Sequence, residues 1–358
     1  MDIPQSPYSD LESRAFWRSA VTEREPLDPG DVYRAKFPIT RDMRIATAGS
    51  CFAQHVGRAL KTSGFNVIDT EPMPLKVDLP LAQRYGYELY SARYGNIYTT
   101  RQLVQLVNEA RGKFAPAQPV WERNGRYFDA LRPNVEPDGL DSPEMVMAHR
   151  EKHLNNVRKA FFRCDLMVFT FGLTEAWIDR ESDTVYPTAP GTIAGSFDPE
   201  TFAFKNFSYE EIKRDFEVFA AIMRSRNTNM KFLITTSPVP LTATASGQHV
   251  EVATCYSKSV LRAVCGALAA DNDDIDYFPS YEIITSSNTR GVYYEANKRS
   301  VSRLGVQTAM KTFLAAHGVE DSPAPAPARK SGGSRPAGPA KARADDVCEE
   351  ALLEAFSR

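Results

Sequence analysis

The sequence predicts an α/β domain whose mainly parallel sheet is covered by helices on both faces. Strand-like apolar runs alternate with helix-period segments from residue 44 to residue 316. The run 166–172, Leu-Met-Val-Phe-Thr-Phe-Gly, is almost wholly apolar, as a strand buried on both faces must be. Three of the strand-like runs end in loops of small or polar residues, and ligands of parallel sheets bind beyond the carboxyl ends of the strands.

Taken in order, residues 1–43 are rich in proline and charge, with Phe16 and Trp17 as the expected anchors onto the main domain. Residues 44–49 read as a short strand and 51–63 as a helix, with Phe52, Val56, Ala59 and Leu60 spaced to face inward. A second strand is expected at 65–69. A long insertion follows, with helices near 99–110 and 143–163, before the apolar strand 166–172. Helix 209–225 leads to strand 231–236, helix 257–270 to strand 275–278, and helix 301–316 closes the domain. The main domain thus runs over 44–318. Residues 319–344 are rich in Pro, Ala, Gly, Lys and Arg, too poor in large apolar groups to repay ordering, and read as a disordered linker. Residues 345–358 carry Val347, Ala351, Leu352 and Phe356 at helical spacing, either a frayed tail helix or a docking helix for a protein partner.

Composition narrows the function. The net charge is −2, with 25% charged and 42% hydrophobic residues, so nucleic acid is not an expected partner. No apolar run is long enough to insert in a membrane, and the first residues do not read as a secretory signal. The five cysteines (51, 164, 255, 265 and 348) form no C-x-x-C pair and are odd in number, which argues for reduced thiols and a cytoplasmic setting. No Gly-x-Gly-x-x-Gly follows the first strand, so dinucleotide binding is weakly supported.

The three loops are Gly49-Ser50-Cys51, Gly172-Leu173-Thr174-Glu175 and Ser237-Pro238-Val239-Pro240, and their convergence on one edge marks the expected site. Gly49-Ser50-Cys51-Phe52-Ala53 resembles the namesake motif of the GSCFA-domain family. So do, in order, Tyr94-Gly95-Asn96-Ile97-Tyr98-Thr99, Phe171-Gly172-Leu173-Thr174-Glu175-Ala176-Trp177, Ser237-Pro238-Val239-Pro240-Leu241-Thr242, Tyr256-Ser257-Lys258-Ser259 and Tyr277-Phe278-Pro279-Ser280-Tyr281-Glu282. That family is similar to the SGNH (GDSL-type) hydrolases. The resemblance implies a three-layer α/β/α fold of flavodoxin-like topology with a helical insertion, and an ester-directed hydrolase or acyltransferase chemistry on glycan O-acyl groups.

It also implies roles. Aligning the glycines puts Cys51 where the nucleophilic serine of SGNH enzymes stands; aligning the serines puts Ser50 there. Cys51 is preferred, because a thiol at a helix N-terminus sits in a field that favours thiolate, although a small buried cysteine at a tight turn is the plainer alternative. Gly95 and Asn96 match the first oxyanion block, and Thr174 stands where the family's relatives carry an asparagine. Glu175 either orients a base or caps the next element. The Asp-x-x-His of SGNH enzymes has no counterpart at 297–300, Asn-Lys-Arg-Ser. Of the five histidines, His249 lies in the loop on the same sheet edge and is chosen as base, against a plain loop histidine. His55 is expected to point away from the nucleophile, His317 to suit a helix C-terminus as a cation, and His149 with His153 to lie on an exposed helix face. Lys298 and Arg299 could hold a phosphate or carboxylate, or simply start a solvated helix. Most of Tyr85, Tyr87, Tyr90, Tyr94, Tyr98, Trp121 and Tyr127 are expected in the core, with two left to stack on sugar.

Two functions therefore compete. One is an acyl-ester hydrolase or O-acyltransferase acting on a carbohydrate or another acylated small molecule, needing no cofactor beyond an acyl donor such as acetyl-CoA in the transferase case, although no diagnostic CoA motif is present. The other is a non-catalytic glycan-binding or scaffold protein on a degenerate SGNH fold.

Overall fold

The computed structural model describes residues 6–319, so the terminal segment 345–358 and all but the first residue of the expected linker lie outside the described residues. Strands β1 (Ile45–Gly49), β4 (Leu166–Phe171), β8 (Lys231–Thr236) and β9 (Ile275–Tyr277) form a parallel sheet in the order β1-β4-β8-β9. Side chains alternate across it. Ala46, Ala48, Met167, Phe169, Phe171, Phe232 and Ile234 enter one core, with helices α3 (Thr100–Ala110), α4 (Pro143–Arg163), α5 (Tyr209–Arg224) and α6 (Val250–Asp271). Ile45, Leu166, Val168 and Leu233 enter a second core, against α1 (Phe52–Thr62), α7 (Ser280–Thr285) and α8 (Arg303–Ala316). Two cores on two faces of one parallel sheet make the three-layer α/β/α fold. Phe161, Phe169, Phe171, Phe216, Phe219 and Phe232 are fully buried in the first core, each stabilising the fold by about 1.5–3 kcal/mol.

The helices start where the sequence supplies caps. Thr99 with Gln102 and Ser208 with Glu211 form reciprocal capping boxes for α3 and α5. Ser142 caps α4 ahead of Pro143, and Ser302 caps α8. No helix among the described residues is long and apolar enough to cross a membrane.

Four expectations need correction. Residues 65–69 form no strand: only Val67 bridges to Ile45, through Ile45 N to the Asn66 carbonyl and Ile68 N to the Ile45 carbonyl, both 2.9 Å. This short parallel bridge occupies the place of the second strand in a flavodoxin-like order. The insertion is not purely helical, because it also holds the antiparallel hairpin β2 (Val120–Arg123) and β3 (Arg126–Asp129). A further antiparallel sheet, β6 (Val185–Tyr186), β5 (Glu175–Asp179) and β7 (Phe202–Asn206), follows β4, where the sequence showed no strand. Phe16 and Trp17 are 40% and 71% exposed and belong to neither core; Tyr33, Phe37 and Ile39 enter the second core instead.

Candidate functional site

The turn between β1 and α1 is set by backbone geometry. Gly49 has φ +131°, and a Cβ there would stand 2.5 Å from the Thr170 carbonyl oxygen on the paired strand. Ser50 N donates to that same carbonyl at 3.2 Å, and helix hydrogen bonds begin at once, from Ala53 N to the Ser50 carbonyl (2.9 Å) and Gln54 N to the Cys51 carbonyl (3.1 Å). Ser50 and Cys51 therefore sit at the N-terminus of an eleven-residue helix, each 3% exposed.

Two loops close on that turn. Ile97 N donates to the Gly49 carbonyl at 2.9 Å, which brings Gly95 (φ +67°) and buried Asn96 to the site. The Tyr90 hydroxyl lies 3.2 Å from the Ser50 carbonyl, accepts from Gln54 Nε2 at 3.2 Å, and bonds Asn96 Oδ1. The Gly172 and Leu173 amides both donate to the Tyr98 carbonyl, at 3.1 and 3.0 Å. Gly172 comes so near Ser50 that a Cβ on it would stand 3.0 Å from the serine Cβ. Thr174, two residues on, is fully buried. Its hydroxyl, like those of Ser50 and Thr170, is buried with no hydrogen-bond partner among the described residues. Buried hydroxyls are nearly always bonded, so these three make the loops at this turn the candidate site.

The third loop adds a wall. Ser237 N bonds the Phe171 carbonyl at 2.8 Å, while Tyr294 and Arg299 donate to the carbonyls of Pro238 and Pro240, at 2.7 and 3.1 Å. Arg299 thus packs on this loop, whereas Lys298 (φ +57°) is exposed.

The proposed acid–base partners each have a bond of their own. Glu175 opens β5, its carboxylate accepting from the Thr244 hydroxyl at 2.8 Å, with burial raising its pKa. His249 is exposed and caps α6, Nδ1 accepting from Glu251 N at 3.2 Å. The Glu175 carboxylate is thus engaged with Thr244, and the His249 ring nitrogen with the start of α6. The loop before α6 carries the histidine to the start of that helix, where capping uses its ring nitrogen.

The other histidines differ from expectation in part. His153 is fully buried, not on an exposed face; Nδ1 lies 2.8 Å from Glu71 Oε2, and burial pushes its pKa down to about 4. His317 packs edge-on to Tyr33 and Phe313, and burial lowers its pKa, so it is not the expected cation. His55 is buried against Phe52. His149 lies on the outer part of α4, 3.7 Å from Glu136. Tyr90, Tyr94, Tyr98 and Trp121 are buried in the core.

One residue of the Tyr256–Ser259 segment, given no role from the sequence, reaches the site. Lys258 is 1% exposed, on the buried stripe of α6 with Leu261 and Cys265, and its Nζ donates to the Gly172 carbonyl at 2.7 Å. A lysine at helical spacing within an apolar stripe was the available signal.

The whole stretch 44–313 matches the model of the GSCFA family. The chain belongs to the GSCFA family. No curated protein matches it. Among solved structures it is similar to a carbohydrate esterase family 2 enzyme with a carbohydrate binding domain from Corynascus thermopiles (Myceliophthora fergusii). The identity is 14% over 79% of this chain and 69% of that one, with a TM-score of 0.31. It is also similar to an acetyl xylan esterase from the rumen bacterium Butyrivibrio proteoclasticus, at 11% identity over 77% of this chain and 63% of that one, with a TM-score of 0.28. Likenesses this loose decide nothing about activity, and the GSCFA site is read from its own geometry.

Proposed function

We propose that this GSCFA protein is an acyl-ester hydrolase or O-acyltransferase that forms a covalent acyl-enzyme on Cys51. The observation that carries the reading is the pairing of a nucleophile-bearing turn with a buried, unused hydroxyl: Cys51 beside Ser50 at the start of α1, and Thr174 across Gly172. The helix N-terminus favours a thiolate at Cys51. Attack on an ester carbonyl makes a tetrahedral oxyanion, for which the Thr174 hydroxyl, the Gly95 amide and the Asn96 side chain are the candidate donors. Collapse breaks the C–O bond, forms the thioester, and releases the alcohol carrying the thiol's proton. Water or a second hydroxyl then attacks the thioester, taking the acyl group and returning the thiol. Ser50 would follow the same course through an ester.

A carbohydrate or glycan precursor as the acyl-bearing partner rests on the resemblance to SGNH hydrolases, with acetyl-CoA or a similar thioester as donor in the transferase case. A cytoplasmic setting suits transfer onto a nucleotide-linked or lipid-linked precursor. The competing reading, a glycan-binding protein without catalysis, draws on one observation: the Glu175 carboxylate is engaged with Thr244 and the His249 ring nitrogen with the start of α6.

Intact-protein mass after brief exposure to p-nitrophenyl acetate separates the two. The expected result is an acetyl adduct that forms and turns over in the wild type and is lost in Cys51→Ala. Loss in Ser50→Ala alone moves the nucleophile by one residue. An adduct that is absent from the wild type, or identical in both variants, removes the catalytic reading.

A further inference from the structure

The Gly172-Leu173-Thr174 loop is held from three directions. Tyr98 accepts from the amides of Gly172 and Leu173, and Phe207 N donates to the Thr174 carbonyl at 2.8 Å. The third hold comes from two consecutive residues of α6. Ser257 Oγ accepts from Thr174 N at 3.1 Å, and Lys258 Nζ donates to the Gly172 carbonyl at 2.7 Å. Both side chains are buried, at 0% and 1% exposure. Taking an ammonium out of water costs several kcal/mol, and the surrounding stripe of α6 is apolar, so packing alone would be better served by leucine. What the lysine supplies is a charge-assisted bond, shorter and stronger than a neutral one, to the residue that touches Ser50.

We propose that Ser257 and Lys258 form a clamp that sets the Thr174 hydroxyl at oxyanion distance from the Ser50–Cys51 turn, Lys258 being its principal positioning residue. The catalytic part rests on the acyl-transfer reading above. The clamp fixes the first polar group of the loop and the last amide, leaving the Thr174 hydroxyl unused. Donors preorganised in this way need no rearrangement when charge develops.

The experiment uses the full chain with Lys258→Met, which keeps the side-chain length and removes the charge, and Ser257→Ala, which keeps the charge and removes one bond. Amide exchange at Leu173 and Thr174 is read beside acylation by p-nitrophenyl acetate as a function of ester concentration. The expected result for Lys258→Met is at least a tenfold loss of amide protection confined to this loop. Maximal acylation should fall about a hundredfold with little change in the half-saturating ester concentration. Ser257→Ala shows the same pattern at smaller size, and decides the matter if Lys258→Met does not fold. Lys258→Ala should regain acylation with propylammonium and not with neutral propanol, a response that a purely structural lysine would not give. Unchanged loop protection in the variants overturns the clamp. Lost protection with undiminished acylation overturns its catalytic role. If the wild type takes up no acetyl at all, the acyl-transfer reading fails, while the exchange data still decide whether the clamp exists.

Discussion

Two buried polar regions lie in this molecule, and they are built on opposite rules. In the insertion, buried charged side chains pair with one another, although His153 Nε2 has no hydrogen-bond partner among the described residues. Asp129 takes Arg132 Nε and Arg150 Nη1, each at 2.7 Å; Arg150 also pairs with Glu109, and Glu71 accepts from His153 and from the Arg93 amide. Burial works against the Asp129 carboxylate, yet the charges of Arg150 and Arg132 hold its pKa down at about 2. At the sheet edge the buried groups are small and neutral, and the hydroxyls of Ser50, Thr170 and Thr174 have no partner. The first region spends its polarity on the fold. On the acyl-transfer proposal, the second is where the polarity of a substrate would be met.

The largest effect should come from unbalancing the first region. Asp129→Ala leaves two buried guanidinium groups without their shared carboxylate and should cost about 3–5 kcal/mol, read as a fall in denaturant midpoint at unchanged m-value. A loss under 1 kcal/mol would mean that the network is solvated.

Acid should weaken the same region next. Unfolded His153 takes a proton near 6.5, but the native ring resists until about 4, so folding stability falls as pH drops through that window. Glu71 is also held at about 2, burial opposing and the His153 hydrogen bond and Arg132 charge prevailing, so its contribution is present above its usual 4.5 and fades below. Each such proton changes stability by up to about 1.4 kcal/mol per pH unit. Thermal melts from pH 7 to pH 4 should fall steadily, and His153→Gln should flatten the upper part of that curve. A flat wild-type profile would contradict the assignment of a neutral buried histidine.

The sheet edge should respond the other way. Thr174→Val removes a buried hydroxyl that nothing among the described residues satisfies, so stability should hold or rise by as much as about 1 kcal/mol, while acylation falls about tenfold to a hundredfold. If stability falls instead, the hydroxyl has a structural partner and the contrast between the regions is lost. His249→Ala should be the mildest, costing no more than about 1 kcal/mol for a lost exposed cap. A slowing of acylation comparable to that of Thr174→Val would restore the base role.

Much of this contrast was visible in the sequence at one level and hidden at another. The parallel strands showed themselves through apolar runs such as 166–171, and the helices through period and caps. The Gly49-Ser50-Cys51 turn and the Gly172–Thr174 loop stand at strand ends, which is where sheet topology gathers residues. Strands β5 to β7 were not legible because Trp177, Phe204 and their neighbours pack across an antiparallel sheet whose pairing is non-local. Phe16 and Trp17 misled because a large apolar side chain near a terminus need not be buried. His249 was placed by its position beside the site, but capping geometry, which no spacing rule reveals at that loop length, fixed its ring nitrogen. Lys258 was within reach, since its place in the stripe with Leu261 and Cys265 was countable.

The closeness of Gly49 to Thr170 has a consequence for how the motif can be re-equipped. The shape of the turn is written in main-chain atoms and in the missing side chain at position 49, whereas the Ser50 hydroxyl enters no bond among the described residues. On the acyl-transfer proposal, the first letter of the motif is a joint and the next two are tools. Exchanging the tools, a thiol for a hydroxyl or a selenol for a thiol, leaves the joint intact. A methyl group at position 49 would force β1 and β4 apart at the end where the tools are mounted.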